Sequence, residues 1–257
     1  MSADFLSVDL PEVRVGRRRV LADVRFGLPA GSVTVLVGPN GAGKTSLVRA
    51  ISGLAPVKGQ VTVGGRGLND LSDRERARTI AVLPQGHPVH WPLPVRDVVA
   101  LGRFPHSGGG PLTPADRAAI DRAVAETDIA TLLDRPVTLL SGGERARVML
   151  ARAIAVEAPL LLADEPVAAL DPRHQLAVMD LLARRAAGGT TVIAVLHDLA
   201  LAARFADRIL MLADGRLMAA GPPAEVLDDY HLAAGFGISA RRVEIGGRLV
   251  PVPDRAL

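Results

Sequence analysis

Val33-Thr34-Val35-Leu36-Val37 runs directly into Gly38-Pro39-Asn40-Gly41-Ala42-Gly43-Lys44-Thr45-Ser46. The β-branched apolar run reads as a buried strand. Residues 45–51 are apolar at helical spacing, and Gly53 follows as a C-cap. A Gly-x-x-x-x-Gly-Lys-Thr turn between a strand and a helix is a phosphate-binding loop. Glycines let successive backbone N–H groups turn inward around an anion, and the helix N-terminus adds its positive end. Lys44 would neutralise the outer phosphates, and the Thr45 hydroxyl would hold Mg²⁺.

This loop calls for an α/β core, and the composition agrees. Of the 257 residues 49% are hydrophobic and only 3% aromatic, which suits a Val/Leu/Ala interior and not a base-stacking surface. The chain has no cysteine, so disulfides and thiolate metal sites are excluded. The N-terminus is acidic (Asp4, Asp9, Glu12), unlike a signal peptide. No apolar run reaches the ~18–20 residues of a membrane span. The net charge is +3, and among 30 basic residues only Lys44 and Lys58 are lysine. An arginine excess spread along the whole chain reads as a solvated surface, so no nucleic-acid partner is expected. Against that arginine bias, a lysine inside the phosphate loop carries information, because the two cations are not interchangeable there.

Residues 5–15 and 20–28 read as strands around the turn Gly16-Arg17-Arg18-Arg19, and residues 60–68 as another exposed strand. Ser72–Glu75 is a capping box opening a short helix, and residues 79–83 form a buried strand ending at Pro84-Gln85. Proline and glycine are then dense from His87-Pro88 to Pro111, around a short helix at 95–101. Thr113-Pro114 starts a longer helix to Glu126, and 129–133 is a further helical piece. Residues 86–156 therefore read as a helical insertion.

Ser141-Gly142-Gly143-Glu144 opens a helix to about Val156. It is a capping box, and its two glycines also leave bare N–H groups that could seat an anion. Leu160–Ala163 is a buried strand running into Asp164-Glu165. Adjacent carboxylates at the end of an apolar strand are costly to desolvate and point to function. Asp164 suits Mg²⁺ beside a phosphate loop, and Glu165 is placed as a general base. Asp171-Pro172 caps the next helix. Residues 191–196 form another buried strand with His197 at its carboxyl end, where ligands of open α/β sheets bind. Residues 208–212 make a last core strand, Asp214-Gly215 a turn, and residues 243–252 a peripheral hairpin.

The order phosphate loop, Gln85, Leu140-Ser-Gly-Gly-Glu144, Asp164-Glu165, Ala169-Leu-Asp171, His197 resembles the nucleotide-binding subunit of ATP-binding cassette (ABC) transporters over about residues 4–240. The resemblance implies a P-loop NTPase (RecA-like) core with an antiparallel β subdomain and an inserted α-helical subdomain. The core would comprise 4–85 and 157–240, the helical part 86–156, and a C-terminal extension 241–257. It also implies ATP and Mg²⁺ as ligands. Thr45, Gln85 and Asp164 would meet the metal, Glu165 would be the base, and His197 would contact the γ-phosphate. The turn Ser141–Glu144 and the D-loop Asp171 would serve ATP held by a second copy in a head-to-tail dimer. The family often stacks an aromatic ring on adenine just after the first strand. The matching position is Val15, which implies a weaker or purely apolar contact. Ala169 likewise stands where serine is common, and Glu144 where glutamine is.

The stretches 80–85, 98–106 and 196–201 resemble importer ATPases for iron-siderophore complexes, haem and vitamin B12. They imply membrane permease subunits as partners, a substrate-binding protein acting indirectly, and a peripheral position on the cytoplasmic face of the membrane. Trp91 and Phe104 are candidates for the groove that receives the permease. The alternatives are another ABC transporter type, or a soluble ABC ATPase acting on ribosomes or DNA. Those soluble proteins usually carry two cassettes or a long coiled coil, and neither pattern is present.

Overall fold

The structure is a computed structural model describing residues 4–86, 89 and 91–257. His87-Pro88, at the start of the proline-rich stretch, lies outside the described residues. The first half of the chain runs β1 (Leu6–Val15), β2 (Arg18–Leu28), β3 (Val33–Val37), α1 (Lys44–Ile51), β4 (Val57–Val63), β5 (Arg66–Gly67), α2 (Asp73–Thr79), β6 (Ile80–Leu83). Then come the α-helices α3 (Val95–Ala100), α4 (Phe104–Ser107), α5 (Pro114–Glu126) and α6 (Gly142–Ala155), with short 3₁₀ turns between them. Next come β7 (Leu160–Asp164), α7 (Pro172–Ala187), β8 (Thr191–Val195), α8 (Leu199–Phe205), β9 (Arg208–Ala213) and β10 (Arg216–Gly221). The chain closes with α9 (Pro223–Val226), α10 (Asp229–Phe236), β11 (Ile238–Ile245) and β12 (Arg248–Ala256).

Among the described residues there are three sheets: the β11-β12 hairpin stands alone, and the other two organise the rest. The larger has the order β10-β9-β3-β8-β7-β6. Its strands β9, β3, β8, β7 and β6 pair in parallel, and β10 is an antiparallel edge. Strands buried on both faces read as continuous apolar runs, and β3, β7 and β8 are buried at every position. Their alternate side chains feed two cores. Val33, Val35 and Val37 pack with helices α3 and α5 to α8, whereas Leu36 packs with α1 and the second sheet. That second sheet is antiparallel, in the order β2-β1-β4-β5.

Several boundaries differ from the sequence reading, each for a local reason. The first turn contains only Gly16 and Arg17, because Arg18 and Arg19 pair with Val15 and Arg14 and extend β2. Residues 57–67 form two strands, since Gly64 and Gly65, both at positive φ, close a tight turn. Phe104–Ser107 is a helical turn that tolerates Pro105 in its first turn. Helices α9 and α10 have no counterpart in the sequence reading, and the C-terminal hairpin begins at Ile238, before residue 241. The capping boxes read at Ser72 and Ser141 are both formed, and Thr113, read as a simple N-cap, makes a third with Asp116.

Candidate functional site

The carboxyl ends of the parallel strands carry the loops that build one large cleft. It encloses about 570 Å³ and is lined by the phosphate loop, Gln85, Glu165 and His197. The phosphate loop leaves β3 through Gly38 at φ 150 and enters α1 through Gly43 at φ 100. Lys44 is 7% exposed, and its ammonium donates to the Gly38 and Pro39 carbonyls at 2.8 and 3.0 Å. Burial pulls the Lys44 pKa down, while Glu165 and Asp164 beside it oppose that shift. A cation held in this way is suited to phosphate oxygens.

Asp164 ends β7 behind the loop and is 2% exposed. Burial raises its pKa, against the hydrogen bond from the Thr45 hydroxyl. Its Oδ1 has no partner among the described residues. A buried carboxylate oxygen without a donor is costly, so this oxygen is built to meet a ligand. Glu165 follows at φ 55, a strained conformation for a residue with a side chain. Its Oε1 lies 2.7 Å from His197 Nε2. Since an ionised carboxylate only accepts, the imidazole donates at Nε2. The β8 end thus delivers a proton donor to the acidic end of β7.

Ser141, Gly142, Gly143, Glu144 and Asp171 lie elsewhere. A second cleft, of about 340 Å³, is lined by Ser141, Gly143, Glu144, Asp171, Arg147 and His174. Ser141 caps α6: its hydroxyl accepts Glu144 N–H at 3.3 Å, and the Glu144 carboxylate accepts Ser141 N–H at 2.8 Å. Asp171 caps α7 by accepting His174 N–H at 3.0 Å. The two clefts share no lining residue.

Sequence reasoning missed part of the first cleft. Arg18, Arg19, Asp214 and Gly215 line it, whereas Val15, at the position matched to an adenine-stacking ring, is 60% exposed and lies outside. The triple-arginine run after Gly16 was the available signal. Within 102–106 only the apolar ring faces outward. Phe104 is 60% exposed, while Arg103 is 5% exposed and bonded to Asp116 at 2.8 Å and to the Ala155 carbonyl at 2.7 Å. Trp91 is 74% exposed.

The ABC transporter family profile matches residues 21–168. The hemin import ATP-binding protein of Streptomyces coelicolor is 50% identical, covering 95% of this chain and 88% of that protein. The protein of the same name from Rhodococcus jostii is 45% identical over 97% and 86%. The cobalamin import ATP-binding protein of Halobacterium salinarum is 41% identical over 99% of this chain and 65% of its own length. Among solved structures, an inward-facing transporter described as metal-chelate type superposes at TM-score 0.83, with 25% identity and 98% of each chain covered. A dimeric bacterial ABC transporter cassette matches at TM-score 0.76, with 26% identity over 85% of this chain and 98% of its own. With its phosphate loop, its Ser141 turn and its Asp164-Glu165 strand end all inside the matched stretch, the chain belongs to the ABC transporter family as an ATP-binding subunit.

Proposed function

We propose that this subunit hydrolyses ATP to drive import of a metal chelate of the hemin class through a separate membrane permease. The observation that carries the ATPase reading is the division of the site. Lys44, Thr45, Gln85, Glu165 and His197 face one cleft, and Ser141, Gly143, Glu144 and Asp171 face another. Neither cleft holds the full set, which favours a head-to-tail pair in which one copy's Ser141 seat covers the other's nucleotide.

In that pair Glu165 accepts the proton of the attacking water. His197 donates its Nε2–H to Glu165 in this state and would turn it to the terminal phosphate once nucleotide is bound. Lys44 carries the charge of the transferred group. Mg²⁺ fits the donors present: Asp164 Oδ1 is buried and unpartnered, the Thr45 hydroxyl sits beside the same carboxyl, and Gln85 opens onto the cleft. When bound, the ion would neutralise phosphate charge. The exposed rings of Trp91 and Phe104 would receive the permease, at the cytoplasmic face of the membrane. Among the described residues no helix is long and apolar enough to cross a membrane, so anchoring falls to the permease. A substrate-binding protein would deliver the cargo. The hemin class is preferred to cobalamin because the relatives named for hemin are 50% and 45% identical, against 41% for cobalamin.

Glu165→Gln should lower ATP turnover by at least about 100-fold. It should also trap an ATP-bound dimer that elutes early in size-exclusion chromatography. Wild-type turnover in this variant would remove Glu165 from its role. Hemin uptake by cells carrying the cognate permease, lost in the same variant, tests the cargo.

A further inference from the structure

The large cleft does not end at the phosphate loop. Past Asn40 and Gly41 its wall is made by Arg18, Arg19, Val20, Asp214 and Gly215. Backbone contacts fix that wall in place. A Cβ added at Gly43 would meet the Val20 carbonyl oxygen at 3.2 Å, and one added at Gly215 would meet it at 2.5 Å. Ala22 N–H donates to the Gly215 carbonyl at 2.8 Å. Strand β2 is therefore held between the phosphate loop and the turn joining β9 to β10. Arg19 and Arg18 lie one and two residues from Val20, at about 3.3 Å per residue, and so overhang the mouth of the loop.

Nothing else among the described residues claims these two side chains. Arg14 and Arg25 on the same sheet are paired with Glu12 and Asp9 at 2.8 and 2.9 Å. Among the described residues no ion pair or side-chain hydrogen bond joins Arg18 or Arg19 to a partner, and both are exposed. None of the described residues lining the cleft is Phe, Tyr or Trp, and its one ring, His197, sits at the Glu165 end. A nucleotide anchored by its phosphates at Lys44 must carry its base out through this mouth, onto this wall. A purine ring needs a flat partner there. The guanidinium group is planar, delocalised and weakly hydrated, and it lies flat on a π face, which an ammonium meets only as a compact, strongly hydrated point charge.

We propose that Arg18 and Arg19 hold the base of the bound nucleotide by stacking their guanidinium planes on it. The proposal rests on the reading of the cleft as an ATP site. Stacking on a cation does not distinguish one purine from another, so ATP and GTP should bind with affinities within a few-fold of each other.

Calorimetric titration of the full chain with ATP, GTP and inorganic tripolyphosphate tests this. The double substitution Arg18→Ala with Arg19→Ala should weaken both nucleotides about tenfold, the size of one stacking contact, and change tripolyphosphate by less than about twofold. Arg18→Lys with Arg19→Lys keeps both charges and loses both planes, so it should recover only a minor part of the alanine pair's loss. Wild-type ATP affinity in the lysine pair would assign the effect to charge and overturn the proposal. Equal loss of ATP and tripolyphosphate would make the arginines phosphate ligands and rule out the stacking role. An unchanged ATP affinity in the alanine pair would overturn the proposal and leave the ATP site standing. A wild-type chain that bound none of the three probes would bring down the site itself, and the proposal with it.

Discussion

A Cβ on Gly38 would lie 2.2 Å from the Leu212 carbonyl oxygen, and the residue sits at φ 150. Neither the clash nor the backbone can relax cheaply, because Leu212 is locked in β9. Gly38→Ala should cost about 3 kcal/mol, or roughly 6–12 °C in Tm for a chain of this size. Thermal melting checks this, and nucleotide titration of the surviving fold should find the phosphate loop impaired. This residue was legible because its constraint is local: the spacing Gly38–Gly43–Lys44 names the conformation. Glu165 and His197 were also legible, since each ends an apolar strand at the functional edge of a sheet. Arg18 and Arg19 were not. Their placement depends on whether a turn holds two residues or four, and that is decided by cross-strand pairing with Arg14 and Val15.

Helix α6 illustrates what an element's sequence withholds. Its start was readable from Ser141 and Glu144, whose reciprocal bonds are formed. Its end was read as well, near Val156, but not what holds it, because the last carbonyls are satisfied from far along the chain. Arg103 donates to the Ala155 carbonyl at 2.7 Å, and His106 Nε2 lies 2.9 Å from the Val156 carbonyl. The same arginine binds Asp116 at 2.8 Å, with both groups buried. So the segment 103–106 ties α6 to the start of α5 while leaving Phe104 outside. Removing one partner of such a pair strands the other, and Arg103→Ala should lower Tm by roughly 6–12 °C. The Thr113 hydroxyl and then Arg103 hold the Asp116 carboxyl well below the usual range. A carboxyl with a depressed folded-state pKa contributes stability that is complete above its unfolded value, near about pH 4, and is lost as pH falls through the folded value. Between about pH 5 and pH 2, Asp116→Asn should therefore lose less Tm than the wild type does.

At the scale of the molecule, the fold class followed from strands alternating with helices, and the parallel sheet is the expected result. The separate antiparallel sheet was legible only through resemblance, because half-buried strands such as β1 and β4 carry no label for the partner they will choose. The strand order was hidden for the same reason. β3 is flanked by β8 and β9, which begin at Thr191 and Arg208, more than 150 residues later in the chain.

That order has a consequence for how the protein is born. A ribosome delivers Val33–Val37 early, yet both neighbours of this strand emerge only after most of the chain has been made. Until then an apolar ribbon with two open edges, and the glycine turn attached to it, waits without its scaffold. Nascent chains stalled before Thr191 should be digested by protease at the very segment that becomes most sheltered in the finished protein, and release past Ala213 should abruptly protect it.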